Sequence, residues 1–128
     1  VSHEHFDHNN VEIVGGQPEV VRGLDSEGHA QSIRGVLDRL PNQPRAAWRT
    51  ADDVAVSGHQ VNVRAIPAWH DNAGGCENGA TTFFAIDVDG VRIVHCGDLG
   101  QERLTDQQLS AIGRVDVLLR PTGPPDNL

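Results

Sequence analysis

The sequence predicts an α+β fold in a single domain that spans residues 1–128. Two segments in the second half of the chain have the alternating apolar pattern and the turn residues of β-hairpins. A short segment near the C-terminus carries helix-capping residues at both ends. The chain has 14 glycines in 128 residues, which indicates many turns, and its length is typical of one domain rather than two.

The first half of the chain gives weaker signals for secondary structure. Asn9 or Asn10 is placed to cap a short helical turn that ends at Gly15. Residues 20–21 are predicted to form a short strand. Apolar residues in 32–40 recur at helical spacing, although a glycine within this segment and a proline after it disfavour a helix.

The first hairpin pattern begins in the middle of the chain. Residues 54–56 and 61–66 are apolar at alternate positions, with a Ser-Gly turn at 57–58 between them. Pro67 is expected to end the second strand, because proline cannot donate a hydrogen bond to a neighbouring strand. The Asn- and Gly-rich residues 71–80 are predicted to form a loop.

The second hairpin pattern consists of residues 81–87 and 91–95, which are rich in β-branched and aromatic side chains. The connecting residues 88–90 contain an Asp-Gly pair, a dipeptide that is favoured in tight hairpin turns. We therefore expect two antiparallel strands joined at this point.

One helix and one strand are predicted to follow. Thr105 and Gln108 have the spacing of a capping box, in which each side chain accepts a hydrogen bond from the backbone of the other residue. The helix is expected to run to about Ile112 and to end at Gly113. Residues 115–119 are apolar enough to predict a buried strand.

The composition disfavours several classes of function. The chain has 10 basic residues against 18 acidic ones, a net charge of −8, and no basic cluster of the kind that binds a nucleic-acid backbone. No apolar run approaches the roughly 20 residues of a membrane span. Two cysteines do not form a disulfide framework. We therefore expect a cytoplasmic protein without a nucleic-acid or membrane partner.

Three histidines and one aspartate are concentrated in the pattern His-x-His-x-Asp-His at the start of the chain. Imidazole nitrogens and carboxylate oxygens are ligands that suit zinc or iron. His3 and His5 can face one point, while Asp7 and His8 can serve a neighbouring one. This arrangement in pairs predicts a metal site with two adjacent ions; the alternative is a surface histidine cluster that binds no metal.

Two further residues fit this site. His70 and Asp98 each lie just after a predicted strand, where ligands often collect at the end of a sheet. The glycines at 97 and 100 allow the backbone beside Asp98 to turn sharply and approach other groups closely. Because a carboxylate can bridge two cations, Asp98 is a candidate bridging ligand; an ordinary turn aspartate is the alternative.

Three segments resemble the metallo-β-lactamase-fold hydrolases: residues 2–8, the Trp-His-Asp sequence at 69–71 and the Gly-Asp sequence at 97–98. More narrowly, residues 70–75, together with 96–100 and the helix that follows, are similar to the L-ascorbate-6-phosphate-lactonase-like branch. The resemblance implies an αββα sandwich. This chain is expected to form about the first half of that sandwich with adjoining strands, trimmed at both ends.

The resemblance also implies the metal ligands. The roles fall on His3, His5 and His70 for one metal ion, on Asp7 and His8 for a second, and on Asp98 as the bridge. The implied cofactor is zinc, with manganese or iron as alternatives. The family's last histidine has no counterpart here, so the resemblance implies a complete first site and an incomplete second one.

The implied activity is that of a metal-dependent hydrolase, in which a metal-bound hydroxide attacks a small ester, lactone or phosphodiester. Asp7 and Asp98 are the candidate catalytic carboxylates. Glu4, Asp71 and Asn72 are expected to orient the imidazoles. The alternatives are a nuclease of the same fold, which the net charge of −8 disfavours, and a catalytically inactive metal-binding fragment.

A trimmed sandwich would expose an apolar sheet face and unpaired strand edges, which tend to pair with another chain. We therefore expect either that this chain is a piece of a longer protein or that it forms a homo-oligomer.

Overall fold

The computed structural model describes residues 1–6, 8–16, 20–29, 34–38, 47–50 and 60–122. The strands in these ranges are β1 (Arg34–Asp38), β2 (Ala47–Thr50), β3 (Gln60–Trp69), β4 (Ala80–Val88), β5 (Val91–His95) and β6 (Val117–Leu119). The helix α1 spans Asp106–Ile112, and a short 3-10 helix spans Val11–Ile13. In the described part of the chain, no helix combines the length and the apolar character that a bilayer span requires.

The described strands form one mixed sheet in the order β2-β1-β3-β4-β5-β6. All neighbouring strands are antiparallel except β5 and β6, which are parallel and are connected through α1. Since β3 and β5 both flank β4, they run in the same direction and end at the same end of the sheet. The residues that follow these two strands therefore lie near each other.

The hairpin of β4 and β5 confirms the prediction made from its turn. Val88 pairs with Val91 across the turn, and Asp89 and Gly90 have φ values of 48° and 81°. Two consecutive residues with positive φ are typical of a type I′ turn, whose twist matches that of the two strands. The Asp-Gly pair thereby sets the register of the hairpin.

Helix α1 begins and ends at the predicted capping residues. The Thr105 side chain accepts a hydrogen bond from the Gln108 backbone N–H at 3.1 Å, and the Thr105 N–H donates to the Gln108 side chain at 2.9 Å. At the other end, the Gly113 N–H donates to the Leu109 carbonyl. The capping box and the glycine stop are both confirmed.

The core lies between α1 and one face of the sheet. Its buried members are Ile66, Ala68, Phe83, Ala85, Val94, Cys96 and Ile112. Full burial of a side chain such as Phe83 contributes roughly 1.5–3 kcal/mol. Because successive side chains of a strand point to opposite faces, Thr82 and Phe84 lie on the other face of β4, away from α1.

One prediction for the first half of the chain is wrong. Residues 20–21 form no strand; instead, the Val21 carbonyl accepts a hydrogen bond from the Val1 nitrogen at 2.8 Å. Residues 34–38, within the segment of helical spacing, form strand β1. Pairing with two neighbouring strands outweighs the local periodicity there, as tertiary context often does. The predicted turn after Asn10 is confirmed as the 3-10 helix, without a side-chain cap from Asn10.

Strand β3 continues through Pro67 to Trp69, contrary to the prediction that Pro67 ends it. Beyond Arg64, β3 pairs with β4 but no longer with β1, so the missing N–H of Pro67 interrupts no ladder on the β1 side. The described partners of β3 are β1 and β4; residues 54–56, the predicted partner, lie outside the described residues.

Strand β6 is shorter and more exposed than predicted. Its three residues are 41%, 55% and 48% exposed, whereas the sequence pattern predicted a buried strand. Within the described residues β6 is the edge strand, paired only with β5. The apolar residues thus predicted the strand correctly, but the prediction that the strand is buried is wrong.

Candidate metal centre

The predicted metal-ligating residues meet at the end of the sheet where β3 and β5 terminate. His70 follows β3 directly, and Asp98 lies three residues after β5. The N-terminal segment crosses the sheet face opposite α1, where the Thr82 hydroxyl donates a hydrogen bond to the Ser2 carbonyl at 2.9 Å. This contact places His3 above the strand ends.

Four side chains form a compact group of possible ligands. One donor atom each from His3, His5, His70 and Asp98 lies within 4.8 Å of the donor atoms of the other three. The ring centroids of His3 and His5 are 4.6 Å apart, and those of His5 and His70 are 4.9 Å apart. Three separate segments of the chain therefore bring imidazole nitrogens and one carboxylate to a common point.

The carboxylate of Asp98 lies at the centre of the histidines. Its Oδ2 atom is 2.7 Å from His70 Nε2, 3.3 Å from His8 Nδ1 and 3.7 Å from His3 Nε2. Imidazoles around a single carboxylate oxygen form a donor set that suits a divalent cation such as zinc.

The state of His3 fits a metal ligand. Its side chain is 2% exposed, and its Nε2 atom has no hydrogen-bond partner within the described residues. Burial, together with the neighbouring His5 and His70, lowers the pKa of His3 to about 4, against the opposite effect of Asp98. His3 is therefore neutral near pH 7, and its buried, unpaired nitrogen costs about 1–3 kcal/mol. A coordinated cation would offset that cost.

The described structure brings together four of the six predicted ligands in one cluster. His8 lies beside them, with its ring centroid 4.9 Å from that of His3, and its side chain is 42% exposed. Asp7, predicted both as a ligand and as a catalytic carboxylate, lies outside the described residues.

Two glycines allow the Asp98 loop to approach the other segments. A Cβ atom at Gly97 would lie 2.8 Å from the Ser2 side chain and from the Thr82 carbonyl oxygen. At Gly100 the approach is closer, since a Cβ would lie 2.1 Å from the His70 carbonyl oxygen. The glycines beside Asp98 thus serve the close approach that the sequence predicted.

Glu4 was predicted to orient an imidazole, but its hydrogen bonds in the described structure go elsewhere. Its carboxylate accepts hydrogen bonds from Asn9 and from Arg22, the latter at 2.6 Å. Ser2 has the role instead, because its Oγ atom lies 3.1 Å from His3 Nδ1. A serine before a histidine has no distinctive sequence signature, so the sequence did not reveal this contact.

Asp71 organises the loop after His70 rather than contacting an imidazole. Its carboxylate is buried and accepts backbone hydrogen bonds of 2.7–3.0 Å from Ala73, Gly75, Glu77 and Asn78. These hydrogen bonds lower the pKa of Asp71 to about 2. The loop returns to the site through Gly79, whose carbonyl accepts the His70 N–H at 3.0 Å.

Asn72, the third residue predicted to orient an imidazole, accepts a hydrogen bond from the Glu102 N–H at 3.2 Å. It therefore links two loops. Gln101 and Gln108 also bond to this part of the chain, and the sequence did not reveal them. Their partners, Trp69 and Pro67, lie 32 and 41 residues away along the chain.

Comparison with known proteins agrees with this geometry. A family model described as a beta-lactamase superfamily domain matches residues 1–127. Searches of curated proteins and of solved structures gave no significant match. The family match covers nearly the whole chain, including every predicted ligand, and supports the metallo-β-lactamase fold. The chain therefore belongs to the beta-lactamase superfamily.

Proposed function

We propose that this protein is a metal-dependent hydrolase whose metal ion is held by His3, His5, His70 and Asp98. Superfamily membership indicates hydrolase activity in general terms. The observation that carries the proposal is the meeting of four donor atoms from three segments within 4.8 Å, with His3 Nε2 buried and unpartnered among the described residues.

The residues of the cluster have distinct roles in this proposal. His3 and His70 are buried and present their imidazole nitrogens away from bulk water, while His5 is exposed and borders the solvent side. Asp98 supplies the negative charge. A divalent ion bound there supplies Lewis-acid polarisation of a carbonyl or phosphoryl oxygen and makes water more acidic.

A second metal ion is part of the proposal, with His8 and Asp7 as its ligands and Asp98 as the bridge. The support is the 3.3 Å distance between His8 Nδ1 and Asp98 Oδ2. Zinc is the proposed metal, because imidazole and carboxylate ligands suit it well; manganese and iron bind similar sets.

The proposed substrate is a small ester, lactone or phosphodiester. The net charge of −8 disfavours a polyanion such as a nucleic acid. We also propose membership of the L-ascorbate-6-phosphate-lactonase-like branch, on the sequence of residues 70–75. The proposed αββα sandwich is supported by the position of α1 on one sheet face, with the candidate site on the other.

The first test is the metal content of the folded protein, measured by elemental analysis. We expect one or more equivalents in the wild-type protein and none in the His3→Ala/His70→Ala double variant. His29→Ala is the matched control, because His29 is 72% exposed and lies in a turn closed by Asp25. Absence of stoichiometric metal from the wild type, or equal metal in the double variant, would contradict the proposal.

The second test is turnover. Chelated and metal-reloaded protein is assayed on lactones, esters and phosphodiesters, and we expect activity only after reloading. Salt-dependent binding of nucleic acid would favour the nuclease alternative. Stoichiometric metal without turnover of any of these substrates would favour the inactive metal-binding alternative.

A further inference from the structure

The segment that carries His70 is bonded directly to the loop that carries Asp98. Trp69, the residue before His70, donates its N–H to Gln101 Oε1 at 3.1 Å. Its carbonyl accepts the Gly100 N–H, also at 3.1 Å. Both backbone polar groups of Trp69 are therefore held by residues that follow Asp98 in the chain.

Gln101 is itself held by a reciprocal pair of amides. Its Nε2 donates to Gln108 Oε1 at 2.8 Å, and Gln108 Nε2 donates back to Gln101 Oε1 at 3.1 Å. Gln108 is 7% exposed and also donates to the Pro67 carbonyl at 2.8 Å. Since Gln108 belongs to the capping box of α1, this pair connects the start of the helix to the end of β3.

A further link to the Asp98 loop lies after His70 in the chain, at Asn72. The Asn72 side chain accepts the Glu102 N–H at 3.2 Å. His70 is therefore flanked by links to the Asp98 loop, one at Trp69 and one at Asn72. Pairing within the sheet does not supply these links, because β5 ends at His95, before the residues that make them.

We infer that Gln101, Gln108 and Asn72 are positioning residues that set the separation between His70 and Asp98. The inference rests on the proposed function, because it concerns the same metal centre. None of the three supplies a donor atom of the cluster; they act through the backbone on either side of His70. Such supporting groups matter to a metal site because its ligands must be held in fixed geometry before the ion binds.

The test uses Co²⁺ as the probe, because its visible absorption reports the coordination geometry. Affinity is measured by competition with a chelator for the wild-type protein, Gln101→Leu and Asn72→Ala. We expect Gln101→Leu to lower the affinity about tenfold, at the lower end of the range for supporting residues, and to alter the absorption spectrum. Gln101→Glu keeps an acceptor for the Trp69 N–H, so we expect a smaller loss of Co²⁺ affinity in this variant than in Gln101→Leu.

Arg92→Gln is the matched control. It removes a hydrogen bond to the Ile112 carbonyl at the far end of α1 and an ion pair with Asp87, and it touches none of the four clustered ligands. If Gln101 had a merely structural role, Gln101→Leu would be less stable, as Arg92→Gln is expected to be, but its Co²⁺ absorption spectrum would not change. We expect Arg92→Gln to retain the wild-type affinity and spectrum.

The outcomes separate the inference from the proposed function. Wild-type affinity and spectrum in both Gln101→Leu and Asn72→Ala would overturn the inference while the proposed metal site stands. Absence of Co²⁺ binding by the wild type would overturn both. If Gln101→Leu does not fold, Asn72→Ala decides alone, because Asn72 is exposed. A changed Co²⁺ spectrum and affinity in this variant would support the inference, and unchanged values would overturn it.

Discussion

Two segments deliver the histidines of the candidate metal cluster, and these segments are held in different ways. His3 and His5 arrive on the N-terminal segment, which the structure fastens at its first residues: Val1 bonds to Val21 and Gly23, and Ser2 to Thr82. Residues 4–6, in contrast to the buried His3, are exposed, and Phe6 is 93% exposed.

His70, in contrast, lies between closely bonded backbone segments. The loop after it is organised by the four hydrogen bonds to Asp71, and the residues before and after it are bonded to the Asp98 loop. The comparison teaches that clustered ligands gain proximity from their spacing in the sequence, whereas a lone ligand depends on the fold to bring it to the others.

The largest effect is expected from Gly100→Ala, which breaks the support of His70. The added Cβ would lie 2.1 Å from the His70 carbonyl oxygen, so the two loops must separate. We expect a loss of about 1–3 kcal/mol in the free energy of unfolding and the greatest loss of metal affinity in this series. Denaturant unfolding and chelator competition measure the two effects.

Gly15→Ala serves as its control, since no atom of the described residues lies within 4 Å of the position a Cβ would take. Equal metal affinity in the two alanine variants would show that the close approach at Gly100 does not support the site.

The next effect concerns Asp71 and depends on pH. Its folded pKa of about 2 lies below its ordinary value, so the ionised carboxylate stabilises the loop fully above about pH 4, and this contribution is lost as the pH falls toward 2. We expect the stability difference between wild-type protein and Asp71→Asn to shrink over this range, with chelator present throughout. Histidine protonation is common to both proteins and cancels in the difference. A difference independent of pH would contradict the prediction.

Thr82→Val tests the fastening of the N-terminal segment. It leaves the carbonyl of Ser2, the residue before His3 in the chain, without the hydrogen bond from Thr82. We expect the free energy of unfolding to fall by about 1–3 kcal/mol. Thr81→Val is a close control, because Thr81 is equally buried and its hydroxyl has no partner within the described residues. The Thr81 variant should be neutral or slightly more stable in thermal unfolding. A larger loss at Thr81 than at Thr82 would refute this account of the segment.

The smallest effect is expected from Arg22→Gln. The Arg22–Glu4 ion pair is short, at 2.6 Å, but both side chains are about two-fifths exposed. Exposed pairs contribute about 0–1 kcal/mol and are screened by salt. We expect a small loss of stability at low ionic strength, none at high ionic strength, and little change in metal affinity. A strong effect at high salt would mean that Arg22 fastens the motif more firmly than its exposure indicates.

The sequence predicted those features that depend on neighbouring residues. The Asp-Gly turn, the capping box of Thr105 and the dense histidine motif are each contained within a few residues, so their patterns can be read locally. His70 and Asp98 were predicted because both follow strands, and the structure places both beside the motif.

The features that the sequence did not predict depend on distant partners. Gln108 reaches Pro67 across 41 positions, and a glutamine on a short helix gives no local sign of that contact. The helical spacing of 32–40 gave no sign of strand β1, which forms there because two strands pair with it. Asp71 was predicted to orient an imidazole, but its hydrogen bonds go to the backbone of its own loop, and these partners follow from the conformation of that loop.

Trp69 gives the candidate metal centre an optical reporter of its own. Trp69 is 38% exposed, and its indole packs so closely on Gly75 that a Cβ there would lie 2.8 Å from the ring. Indole emission depends on the polarity around the ring, and this ring is one residue from His70. The chain has one other tryptophan, Trp48, so Trp48→Phe isolates the signal. Emission from Trp69 in that variant would follow the loading of the cluster in real time, without a coloured metal or a substrate.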